Sequence, residues 1–153
     1  MRAYGDIGMD DLEQFIVWWR KHRAFNTPKE TQVNFSGNIS GVVLYRKAPY
    51  QVQLFVVKPN SIIEQHVHPN VDSFEIFLGG DIKFVCDGVE YPQDQMGASI
   101  RIKPECWHGG TTGDIGGSFL SVQKWINGVE PKDVGQDWAD KSKNVSGTAI
   151  DIT

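Results

Sequence analysis

Three of the chain's four histidines fall where they could share a metal ion. His66 and His68 stand two residues apart in Gln-His-Val-His-Pro, and His108 sits in Glu-Cys-Trp-His-Gly-Gly. Side chains alternate between the faces of a strand, so His66 and His68 project from the same face. Neutral imidazoles suit zinc, iron, copper and nickel, whereas calcium and magnesium prefer oxygen. Taken alone, the pair reads equally as two surface imidazoles on an edge strand. His108, on a separate glycine-rich segment, shifts the balance towards metal. Three imidazoles, or three plus a carboxylate, leave coordination positions open in a five- or six-coordinate ion, as a catalytic metal requires. An acid, Glu75, follows the pair and precedes Gly79-Gly80. The fourth histidine, His22, lies among Arg20, Lys21 and Arg23 and reads as a solvated helix-end imidazole.

These residues need a frame, and its signals are mostly those of strands. Residues 1–9 read as an extended arm, with Asp10 as a helix N-cap and Glu13 as its capping partner. Over 11–25, Leu12, Phe15, Ile16 and Trp19 fall at helical spacing. Val17 and Trp18 lie off that stripe, which suits packing at a barrel mouth or a subunit contact. From Thr31 the pattern becomes β-branched and alternating. Strands are expected over 42–46, 51–58, 62–68, 74–78, 82–86, 99–103 and 119–126. Lys47-Ala-Pro-Tyr50 joins the first two as a hairpin, Pro59-Asn60 marks a turn, and Gly79-Gly80-Asp81 reads as a glycine-rich hairpin turn. Turns this frequent favour a sandwich or barrel over a βαβ sheet. The tail from Asn127 reads as irregular, anchored by Trp138.

The 153 residues suffice for one domain with a substantial core. A net charge of −4 without a basic patch excludes nucleic acid as the expected partner. No apolar run reaches bilayer length, and the first residues carry no apolar signal core, so a cytoplasmic location is expected. Cys86 and Cys106 make no disulfide framework and read as buried reduced thiols.

With the histidines in their context, the chain resembles the cupin superfamily over about residues 40–126. The first cupin motif runs glycine, five residues, His-x-His, three or four residues, glutamate, six residues, glycine. Asn60 stands at its first glycine, His66-Val-His68 at its histidines and Gly80 at its last glycine. The second motif runs glycine, about five residues, Pro-x-Gly, two residues, histidine, and Gly97, Pro104 and His108 take those places. Three positions depart from the pattern. The motif glutamate falls on Ser73, with Asp72 one residue early and Glu75 two late. The segment from Pro104 to His108 is one residue short, with Cys106 at the glycine. Thr112 stands where the second motif has asparagine.

The resemblance implies an all-β double-stranded β-helix, the jelly-roll barrel, over 31–126, with an arm and helix over 1–30 and a tail over 127–153. It implies metal ligation by His66, His68 and His108. Glu75 joins them if a slip or bulge brings it in; otherwise the site has three histidines alone. The metal would be a divalent transition ion: iron, zinc, manganese or nickel. Three histidines with an unsettled carboxylate favour an iron-dependent dioxygenase. The alternatives are a sugar or sugar-phosphate isomerase, epimerase or lyase with Glu75 in proton transfer, and a non-catalytic small-ligand-binding cupin. Candidate interior groups are Glu75, Tyr45, Gln53, Arg101 and Gln123, and an inward arginine would imply a carboxylate or phosphate on the ligand. Trp107, Trp125, Phe77 and Phe84 are candidates to line the interior. Partners are then a small molecule and, by likeness to other cupins, a second copy of the chain in a homodimer.

Overall fold

A computed structural model of the protein describes residues 12–26, 32–36 (backbone only), 38–67 and 70–126. The expected arm, the Asp10 cap, the tail with Trp138, and His68 lie outside the described residues. The helix α1 spans Leu12–His22. Its expected stripe is its buried side: Leu12, Phe15 and Trp19 are buried, and Ile16 packs beside them. Arg20, Lys21 and His22 occupy the last turn, where cations complement the helix dipole. Arg23 then takes a left-handed backbone (φ 48°) and ends the helix. Off that stripe, Trp18 is partly buried and packs near Phe15, Tyr45 and His22, whereas Val17 is exposed. His22 turns its Nδ1 to the Trp18 carbonyl at 2.9 Å, away from the other histidines.

Among the described residues eight antiparallel strands follow: β1 Gln32–Ser36, β2 Ile39–Lys47, β3 Tyr50–Val57, β4 Ile62–His66, β5 Val71–Cys86, β6 Val89–Pro92, β7 Ser99–Ile102 and β8 His108–Trp125. They run in the order β1-β2-β3-β8-β5-β6, with β4 added to β8 and β7 to β5. The hairpin across 48–49 forms as expected, and Asn60 takes the left-handed backbone (φ 52°) that its turn position called for. One reading is corrected. Gly79-Gly80-Asp81 is not a hairpin turn, because β5 runs through it as a single strand alongside β8. The residues around Gly80 and Gly116 make a corner instead. Both have positive φ (96° and 80°), and a Cβ on Gly80 would stand 2.0 Å from the Gly116 carbonyl oxygen. Only glycine lets the two long strands bend together there. β8 thus pairs with β4 and the end of β5 before the corner, and with β3 and the start of β5 after it.

Alternation along these strands separates two environments. On β3, Tyr50 and Val52 face α1, where Phe15 stacks on Tyr50 at 4.1 Å between ring centroids. Gln51, Gln53 and Phe55 face the barrel interior. One part of that interior is an apolar plug of Ile39, Phe55, Val57, Ile63, Phe77, Ile82, Phe84 and Phe119. The rest is polar, and it contains the residues that could do chemistry.

Candidate metal centre and its polar surroundings

His66 ends β4 and His108 begins β8, and the two are direct partners in the β4–β8 ladder. A register shift between Ile63 and His66 brings His66 opposite His108. The rings are 4.2 Å apart between centroids. Each ring is oriented by the carbonyl two residues before it: His66 Nδ1 lies 2.6 Å from the Glu64 oxygen and His108 Nδ1 2.9 Å from the Cys106 oxygen. A carbonyl can only accept, so each Nδ1 carries a proton, and in the neutral ring Nε2 is left with the lone pair. Burial also holds His108 down to about 4, neutral under physiological conditions. Two imidazoles oriented through backbone carbonyls are a donor pair that fits a transition metal. Among the described residues, no group of three or more His, Cys, Asp or Glu side chains could hold an ion. His68 is the further ligand the sequence offers, and it lies outside the described residues.

The second-motif loop accounts for its own departure. Glu105, not Cys106, takes the left-handed backbone (φ 66°). Two residues then separate it from His108, which is the motif's own spacing; the loop is short on its Pro104 side. Thr112 fastens the start of β4: its hydroxyl donates to the Lys58 carbonyl at 2.7 Å and accepts from the Ser61 amide at 2.9 Å.

Glu75 faces the interior with Ser73 and Phe77, all three buried. The β5–β8 register is regular from Val71 to Phe77, so no bulge carries Glu75 towards the histidines. Its Oε2 accepts from the Ser121 hydroxyl at 3.0 Å. Burial pushes its carboxyl up to about 7, against hydrogen bonds from Ser73 and Ser121 that pull it down. A carboxyl poised there can both take and give a proton near neutral pH.

A chain of hydrogen bonds reaches Glu75 from across the sheet. Arg46 Nε donates to Gln51 Oε1 at 2.6 Å, and Gln51 Nε2 donates to Gln123 Oε1 at 3.1 Å. Gln123 Nε2 donates to Gln53 Oε1 at 2.8 Å and to Ser121 Oγ at 3.2 Å, and Ser121 donates to Glu75. A guanidinium has no acceptor, so Arg46 fixes the direction of every bond after it. Each amide must turn its oxygen towards Arg46 and its nitrogen towards Glu75.

Two candidate interior groups lie elsewhere. Tyr45 is turned outward into the aromatic cluster under α1, 5.8 Å from the Phe15 ring. The cause is a bulge: the β2–β3 register shifts between Val43 and Tyr45. Val43 opposes Gln53 inside, Tyr45 opposes Val52 outside, and Arg46 returns inside opposite Gln51. Arg101 is also outside, opposite Phe74, with its guanidinium 5.1 Å from that ring. It donates to both oxygens of Asp72 and approaches Glu13 of α1 at 3.9 Å. Asp72 is thereby engaged away from the histidines. Gln53 and Gln123 are inside as expected, and Phe77, Phe84 and Trp125 are buried, but Trp107 is 48% exposed. Cys86 and Cys106 are half-buried rather than core, and their thiols contact one another. Sequence reasoning missed Arg46, Gln51 and Ser121. Gln51-Val-Gln53 carried a readable signal, a polar-apolar-polar alternation, but the signal for Arg46 was hidden by the bulge.

No protein-family model matches the sequence, and no curated protein matches it by sequence. Its fold is similar to solved structures. KdgF from Halomonas sp. aligns at a TM-score of 0.58 and 10% identity, over 65% of this chain and 90% of that one. An RmlC-like cupin from Shewanella frigidimarina aligns at 0.58 and 16%, over 67% and 90%. A predicted oxalate decarboxylase from Thermotoga maritima aligns at 0.56 and 17%, over 67% and 99%. With its antiparallel jelly roll and its paired histidines on neighbouring strands, the chain has the fold of the cupin superfamily.

Proposed function

We propose that the protein is a metal-dependent cupin enzyme that moves a proton on a small polar molecule, in the isomerase, epimerase or lyase range. The observation that carries this reading is Glu75: buried, 8% exposed, titrating at about 7, and bonded to Ser121. A carboxylate bound to a metal is held ionised, whereas a general acid–base needs a value near the working pH. His66 and His108 would hold the ion through Nε2, with His68 as the third ligand the sequence offers. The ion, when bound, supplies a Lewis acid that polarises a carbonyl oxygen on the ligand. Glu75 then takes the proton released next to that carbonyl and returns it to the neighbouring carbon. The direction imposed by Arg46 keeps a donor, the Ser121 hydroxyl, on Glu75 while it is charged. The described similarity to a predicted oxalate decarboxylase suits the lyase end of this range.

Metal content and solvent exchange test the proposal. The protein purified without added metal should carry near-stoichiometric zinc, manganese or nickel. His66→Ala, His68→Ala and His108→Ala should each lose it, and Glu75→Gln should keep it. In deuterated water, the wild type should wash deuterium into a carbonyl-containing member of a panel of sugars and small keto acids, and Glu75→Gln should not. Loss of metal in Glu75→Gln would make it a ligand and sink the acid–base role. A second reading, a three-histidine iron dioxygenase, draws on the same separation of Glu75 from the histidine pair. Iron in the wild type, with oxygen uptake that survives Glu75→Gln, would select it.

A further inference from the structure

We propose that the edge of the polar interior, at Arg46, Gln51, Gln123 and Trp125, is a binding site for the carboxylate of the small-molecule ligand. The proposal rests on the reading of the barrel interior as the ligand site and adds the ligand's chemical class. Arg46 is placed there by the bulge in β2, and its backbone is held on both sides by Asn26. The Asn26 Oδ1 accepts from the Arg46 amide at 2.7 Å, and its Nδ2 donates to the Arg46 carbonyl at 2.9 Å. The bond from Nε to Gln51 fixes the guanidinium plane. A fixed planar fork recognises a planar two-oxygen acceptor better than a tetrahedral one.

The second observation is independent of Arg46. Trp125 is 2% exposed, and its Nε1–H has no hydrogen-bond partner among the described residues. Strand alternation puts Trp125 on the same face of β8 as Gln123 and Ser121, one inward position beyond Gln123. A buried indole N–H left without an acceptor is costly, and an acceptor arriving with the ligand would satisfy it. Glu75 lies two inward positions further along, beside Ser121. A carboxylate held at this edge would direct the rest of a short molecule towards the proton-transfer group.

The experiment uses metal-free protein, so that a carboxylate cannot bind through the ion. Succinate, succinamide and inorganic phosphate are titrated against wild type, Arg46→Met and Trp125→Phe, by ligand-observed NMR and thermal shift. Circular dichroism checks that both variants fold. Succinate should bind the wild type saturably and succinamide should not. Arg46→Met should weaken succinate at least about tenfold, and Trp125→Phe about fivefold. Absence of succinate binding to the wild type, or equal binding to wild type and Arg46→Met, would overturn the proposal. Tighter binding of phosphate than of succinate would overturn the carboxylate class. Failure of the metal reading would show separately, as histidine variants indistinguishable from wild type in metal content.

Discussion

The two faces of the sheet β2-β3-β8-β5 contrast in a way that inverts the usual arrangement. The face inside the barrel carries Gln51, Gln53, Ser73, Glu75, Ser121 and Gln123, and the face outside carries Tyr45, Tyr50, Val52, Ile76 and Val122. Both are buried, the outside because α1 covers it. Apolar burial there adds to that of the interior plug around Phe55, Phe77 and Phe119, so the rest of the inside can hold polar groups. Polar groups so buried are tolerable only when bonded to one another, and the chain from Arg46 to Glu75 provides those bonds.

This division of labour can be broken from either side. The largest effect is expected under the helix. Phe15 is fully buried against Tyr50, and Phe15→Ala should cost about 3–5 kcal/mol of unfolding free energy. Metal content of the folded fraction should be unchanged; loss of metal in parallel with stability would show that the two faces are not separable.

The next effect is in the pH profile of the metal-free protein. Glu75 titrates at about 7 when folded, above its ordinary 4.5, so the folded state favours its protonated form. That contribution is complete below pH 4.5, declines as pH rises, and is gone above 7, for a total of up to about 3 kcal/mol. His108 acts in the opposite sense. Its folded value of about 4 lies below its ordinary 6.5, so its contribution is complete above 6.5 and is lost as pH falls to 4. The two offset each other between pH 4.5 and 6.5. Glu75→Gln should expose the His108 trend alone, with stability rising over that interval and no decline towards pH 7. Urea unfolding at half-unit pH steps reads this, and a profile identical to wild type would show that Glu75 is not the titrating group.

Inside the ladder, Gln123→Leu should cost about 1–3 kcal/mol, because it leaves Gln51, Gln53 and Ser121 each short of a partner. A neutral result would mean that water replaces the amide there. The smallest effect is expected at Arg101. Its pair with Asp72 is partly exposed, and Arg101→Ala should cost no more than about 1 kcal/mol by thermal unfolding, without effect on metal or ligand. An effect on either would place Arg101 back among the functional residues.

What was legible in the sequence was what is local. The helical stripe of α1, the left-handed turn at Asn60 and the strand that carries His66 each depend on a few neighbouring residues. The barrel followed from two such motifs on separate strands. What was illegible depends on pairing. Whether Tyr45 or Arg46 points inward is decided by one extra residue between Val43 and Tyr45, and nothing in Val-Val-Leu-Tyr-Arg announces it. Gly79-Gly80 has the composition of a hairpin turn, and only its partner strand at Gly116 makes it a corner. Arg101 looked like an interior cation until Phe74 and Asp72 stood opposite it.

The position of β8 in the sheet also sets the order of events during folding. Among the described residues it is the last strand, yet β3, β4 and β5 all pair with it, and both His108 and Ser121 lie on it. Contacts so distant in sequence form slowly, because long loops must close before any pairing rewards them. Until β8 has docked, His66 has no His108 opposite it and Glu75 lacks the Ser121 hydroxyl. Any ion held between His66 and His108 would therefore be bound late, once β8 has joined the sheet.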